Sequence, residues 1–114
     1  GNPLAAAIGR KVVELLENGE LAARATTLGR SFVAALSHID SPLIRDVRGR
    51  GLLVAVELTD AVAPRRVAER LLDRGVLTKH NRNVLRFAPP LTIADTELRL
   101  AANALADVLT EEAA

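Results

Sequence analysis

The chain has 114 residues, 49% of them hydrophobic and 25% charged, which is the size and mixture of one domain able to bury its own core and excludes a mainly disordered protein. Its 15 basic and 14 acidic residues give a formal net charge of +1, so no net field draws nucleic acid or an anionic membrane surface. Without cysteine, disulfides, thiol catalysis and cysteine-type zinc sites are excluded; no stretch has the ~20 apolar residues of a membrane span or the pattern of a signal peptide, and a cytoplasmic location is expected.

In chain order, Asn2-Pro3 is a helix-start signature, and Leu4, Ile8, Val12 and Leu15 recur at helical spacing, which predicts a leading helix over 2–18 closed by Asn18-Gly19. A second helix is expected from about Glu20, with Leu21, Ala25, Leu28, Phe32, Leu36 and Ile39 on one face and Asp40-Ser41-Pro42 as its end. The period then changes: 43–47 and 52–58 are rich in aliphatic and β-branched residues and read as strands. Between them, Arg48-Gly49-Arg50-Gly51 predicts a bulge or a close backbone approach. Pro64 opens a third helix carrying Val67, Leu71 and Leu72, closed by Gly75. Strands are expected at 76–78 and 84–87, separated by the turn-rich Lys79-His80-Asn81-Arg82-Asn83 and stopped by Pro89-Pro90. Thr92, with Asp95 three residues on, is the expected cap of a last helix whose stripe is Leu98, Ala102, Leu105 and Leu109, with 111–114 fraying. This order predicts a single α+β domain over 1–114: a small, mostly antiparallel sheet of three or four strands with helices packed on one face.

Arg86 carries the most information about chemistry. In an alternating strand Leu85 and Phe87 share one face and Val84, Arg86 and Ala88 the other, so packing Leu85 and Phe87 on the helices turns Arg86 outward. A guanidinium on a stiff strand end can hold a carboxylate by two parallel hydrogen bonds, although the local pattern alone favours a solvated arginine. The glycine-arginine stretch lies between strands and does not open a helix, so a phosphate loop is disfavoured. His38 and His80 have no second ligand at metal-binding spacing and are expected on the surface and in a loop. Lys11 and Lys79 have neither a phosphate cradle nor an acidic partner nearby and are assigned no catalytic role; Arg65, Arg66, Arg70 and Arg74 read as a solvated helix face. No nucleophile elbow is present. Methionine, tryptophan and tyrosine are absent and only Phe32 and Phe87 are aromatic, a poor lining for a complete small-molecule pocket; the chain reads as part of something larger, with a start that was processed or cut.

Four segments occur in an order that resembles the C-terminal region of class III pyridoxal-phosphate aminotransferases: Gly1-Asn2-Pro3-Leu4, Val47-Arg48-Gly49-Arg50-Gly51-Leu52-Leu53, Arg74-Gly75-Val76-Leu77 and Leu85-Arg86-Phe87-Ala88-Pro89-Pro90-Leu91. The Arg86-Phe87-Ala88-Pro89-Pro90-Leu91 run looks more like the ornithine than the acetylornithine branch. The resemblance implies a larger, homodimeric enzyme whose N-terminal large domain carries the cofactor, its Schiff-base lysine and the aspartate facing the pyridine nitrogen. It implies transfer of the δ-amino group of ornithine to a 2-oxo acid, and a substrate-carboxylate role for Arg86. The cofactor-binding residues of that family precede the part matched here, so this chain alone is expected to be inactive and to bind no pyridoxal phosphate, metal, nucleic acid or membrane. Two alternatives are an acetylornithine or other ω-amino-acid aminotransferase, and a free-standing interaction module using Arg86 with Arg45, Arg48 and Arg50 to hold an acidic partner.

Overall fold

The computed structural model describes residues 19–114. The expected leading helix 2–18, the Gly1-Asn2-Pro3-Leu4 motif and Lys11 lie outside the described residues. Helix α1 (Glu20–Ser37) buries Leu21, Phe32 and Leu36 on its expected face. It stops at Ser37, ahead of Asp40-Ser41-Pro42, because His38 closes it: both the His38 backbone N–H (3.1 Å) and its Nδ1 (2.6 Å) lie against the Ala34 carbonyl.

Strands β1 (Ile44–Arg50) and β2 (Leu53–Leu58) form a hairpin in which Arg50 faces Leu53 across a two-residue turn. Gly51 opens that turn at φ 57°, a conformation that costs glycine little and a side chain more. The expected bulge at Arg48-Gly49-Arg50-Gly51 is absent: those strand residues pair in register, and the irregularity lies between Ile44 and Asp46. The close approach is real. Helix α1 crosses the hairpin at Gly29, where a Cβ would sit 1.8 Å from the Gly51 carbonyl oxygen, and a Cβ on Gly49 would meet Val33 Cγ2 at 2.8 Å.

Helix α2 (Pro64–Asp73) ends in a Schellman closure: the Gly75 N–H donates to Leu72 O and the Val76 N–H to Leu71 O, both at 2.9 Å, with Gly75 at φ 83°. Val67 and Leu71 are buried, one turn apart. Leu72 sits about 100° further round the helix and is 57% exposed, against the expected stripe.

The next strand, β3 (Lys79–Asn81), falls in the segment expected to be a turn, and 76–78 is not strand. The turn shrinks to Arg82-Asn83, which sets Asn81 opposite Val84 and so pairs three polar residues with β4 (Val84–Phe87). All three are exposed at the sheet edge, so no apolar alternation marks them. Helix α3 (Asp95–Ala113) is capped at Ala94 instead of Thr92, because the Ile93 N–H donates to Pro90 O (3.0 Å) in a tight turn that delays the helix; the Glu97 carboxylate reaches back to the Ala94 N–H at 3.3 Å.

The four strands run β1-β2-β4-β3, every pair antiparallel. Val54, Val56, Leu58, Leu85 and Phe87 turn to one side and form a single core with Phe32, Leu36, Val67, Leu71, Leu98, Leu105 and Leu109 of the helices. The Phe32 and Phe87 rings meet edge to face at 5.4 Å. This is the expected α+β layering, with the helices on one face of the sheet.

The α2 arginines are not a merely solvated face, and the chain end does not fray at Glu111 and Glu112. Arg66 Nε and Arg70 Nη1 both donate to Glu112 Oε1 (2.8 and 2.7 Å), Arg70 also pairs with Glu111, and Arg74 pairs with Glu111 (2.5 Å) and Asp107 (3.3 Å). Hydrogen bonding to Arg66, then Arg70, holds the Glu112 carboxyl below its ordinary value. The ladder ties the last turns of α3 to α2.

Candidate functional site

The other sheet face has no helix over it among the described residues. Its registers place Arg48, Ala55, Arg86 and Lys79 in one row across the four strands, beside a second row of Asp46, Glu57, Val84 and Asn81. The basic row is neutralised at one end only. Arg48 bonds Asp46 (3.1 Å) and Glu57 (3.3 Å), and Arg45 lies 3.7 Å from Glu57. The Asp46 hydrogen bond, with Glu57, raises the proton affinity of Arg48 above its usual level. Arg45 and Arg48 thus have acidic neighbours within the domain, although both side chains remain about half exposed.

At the other end, Arg86 is exposed while its neighbours Leu85 and Phe87 are 0% and 4% exposed, the alternation expected from the sequence. Arg86 and Lys79, cross-strand partners, line one open concavity of about 440 Å³ whose walls include Leu53, Ala55, Leu77, Thr78 and Ala88. Leu53 and Leu77 are 68% and 77% exposed, so the guanidinium sits among uncovered apolar side chains. Among the described residues neither cation has an ion-pair partner.

Arg24, which the sequence gave no reason to single out, braces the segment downstream of Arg86. Its Nη1 donates to Leu91 O (2.9 Å) and its Nη2 to Ile93 O (2.7 Å), two planar bonds from α1 to the chain beyond Pro89-Pro90. The contacts span 67 and 69 residues and leave no local signal. Lys79 and His80, expected in a turn, are strand residues; His80 is exposed on β3 and His38 exposed at the end of α1. Among the described residues no group of three or more potential metal ligands comes together, and no helix is long and apolar enough to cross a membrane.

The family model described as aminotransferase class-III matches residues 1–109. The ornithine aminotransferase of Bacillus subtilis is 46% identical over 110 residues, covering 96% of this chain and 27% of that protein. Among solved structures, the ornithine δ-aminotransferase of Plasmodium falciparum superposes with a TM-score of 0.82 at 31% identity, covering 97% of this chain and 30% of that one. An ornithine aminotransferase of Toxoplasma gondii, with pyridoxal phosphate partially occupying its active site, superposes with a TM-score of 0.79 at 39% identity over 97% of this chain and 28% of its own. The chain thus spans under a third of the length of the relatives it matches.

Proposed function

This chain belongs to the class-III aminotransferases, which are pyridoxal-phosphate enzymes, and from that membership we propose that it is the small, C-terminal domain of an ornithine aminotransferase and supplies the arginine that grips the substrate carboxylate. The complete enzyme converts ornithine and a 2-oxo acid to glutamate 5-semialdehyde and an amino acid. The observation that carries the reading is Arg86: a strand residue turned away from its own core, free of acidic partners among the described residues, at an open apolar groove. Relatives with the ornithine specificity in their names support the donor.

The described residues do not fit the cofactor itself. The groove offers Lys79 and Arg86 but no carboxylate to face a pyridine nitrogen, and no helix starts there to cradle a phosphate. The remainder of the protein holds the cofactor, and this chain's part is binding and orientation. Two guanidinium N–H groups of Arg86 would donate to the two oxygens of one carboxylate, fixing the distance of the reacting carbon from the sheet. The planar fork also fixes its rotation. Leu53, Leu77, Ala55 and Ala88 line the groove with apolar surface, and covering them with the rest of the protein excludes water and strengthens the charge pair. The double proline downstream and the Arg24 brace keep the strand end stiff, so this geometry exists before substrate arrives.

The test is activity of the complete protein with ornithine and with N-acetylornithine as donors to a dicarboxylic 2-oxo acid. Ornithine should be favoured by at least about tenfold in kcat/KM, and the 114-residue chain alone should show no turnover and no cofactor absorbance. Preference for the acetylated donor would move the protein to the sister branch, and turnover by the isolated chain would refute the division of labour.

A further inference from the structure

Like charges directly opposite each other across two strands destabilise a sheet. Here Lys79 and Arg86 face each other at the end of the ladder and open into the same concavity. The same sheet face shows the alternative: Arg45 and Arg48 are provided with Asp46 and Glu57 within the domain. At Lys79 and Arg86 no described residue plays that part. A concavity with two adjacent cations, unpaired among the described residues, and apolar walls suits an anion.

We propose that Lys79 is a charge-selectivity residue of the Arg86 site, sharing the anion with Arg86 and favouring the dicarboxylic 2-oxo acid over the diamino acid in the two half-reactions. The inference rests on the reading of Arg86 as the carboxylate grip. Its basis is net charge. At neutral pH a diamino acid carries two ammonium groups and one carboxylate, net +1, whereas a dicarboxylic 2-oxo acid carries −2. A single added positive charge beside Arg86 therefore acts on the two co-substrates in opposite directions. Arg86 alone grips any carboxylate; Lys79 discriminates between the molecules that bear it.

The experiment is steady-state kinetics of the complete enzyme carrying Lys79→Gln, Lys79→Arg or Arg86→Gln, with the KM of each co-substrate measured at low and high salt. Lys79→Gln is expected to raise the KM for the 2-oxo acid by about tenfold, or ~1.4 kcal/mol, with kcat within about twofold and the KM for ornithine unchanged or lower. Salt is expected to weaken oxo-acid binding less in this variant than in the parent. Lys79→Arg should restore the parental values. Equal rises in both KM values, or failure of Lys79→Arg to restore them, would assign Lys79 to structure or domain docking and overturn the proposal. A Lys79→Gln enzyme indistinguishable from the parent beside an impaired Arg86→Gln enzyme would also overturn it while leaving the proposed function standing. If Arg86→Gln too binds both co-substrates normally, the reading of the site itself falls.

Discussion

Replacing Gly29 by alanine adds one methyl group where α1 crosses the β1–β2 turn. In isolation the change favours the helix, since alanine is better than glycine in a helix interior by about 0.8–1.0 kcal/mol. The structure opposes it. The new Cβ would lie 1.8 Å from Gly51 O, 2.5 Å from Gly51 C and 3.2 Å from its Cα, all backbone atoms that cannot rotate aside. Restoring an ordinary contact requires the helix and hairpin to separate by roughly 1.5 Å, which loosens Phe32 and Leu36 against the sheet. Forcing volume into a packed contact costs about 1–3 kcal/mol and occasionally more. Overlap with backbone at 1.8 Å puts the strain in the upper part of that range, so after the propensity gain is subtracted Gly29→Ala should destabilise the domain by about 1–2 kcal/mol, or roughly 4–16 °C in Tm for a domain of this size. Having no tryptophan or tyrosine, the chain is followed by far-UV circular dichroism in urea. Gly19→Ala is the control: that residue has φ 77° and, among the described residues, nothing within 4 Å, so its substitution tests backbone conformation without crowding from them. A Gly29→Ala midpoint equal to or above the parent's would refute the packing argument.

Two further outcomes follow from side chains that sequence patterns did not flag. Glu112 has its carboxyl held below the ordinary 4.5 by Arg66 and Arg70, so it stabilises the fold fully above the unfolded-state value and loses that contribution as pH falls through the lower folded value. Tm measured from pH 7 to 3 should therefore show Glu112→Gln below the parent at neutral pH and the gap closing below about pH 4.5; a gap independent of pH would show that the ladder does not act through charge. Arg24→Met keeps the aliphatic stem and removes the bonds to Leu91 and Ile93. In the complete enzyme it should raise the KM for the carboxylate substrate by about three- to tenfold by loosening the strand end that carries Arg86, and an unchanged KM would separate the brace from the site.

The three helices of the described residues could be read from the chain because each has an apolar stripe at helical spacing, and β2 and β4 because Val54, Val56, Leu58, Leu85 and Phe87 alternate into one core. The same alternation made the outward turn of Arg86 legible before any coordinates. Lys79-His80-Asn81 was not, since an edge strand exposed on both faces has no periodicity to detect. The paired glycines announced a close approach without naming the partner, and only the fold brings Gly29 onto Gly51. Arg24 and the α2–α3 ladder were illegible for the same reason: their partners lie 33 to 69 residues away, so composition records the charges but not their pairing.

The role of Arg86 is tested most directly by the KM for the 2-oxo acid in the complete enzyme with Arg86→Lys, which keeps the charge and removes the planar fork. Losing one charge-assisted hydrogen bond of the bidentate pair should raise that KM by about 10- to 100-fold, with the cofactor spectrum unchanged. A value within about twofold of the parent would mean that the guanidinium does not hold the carboxylate.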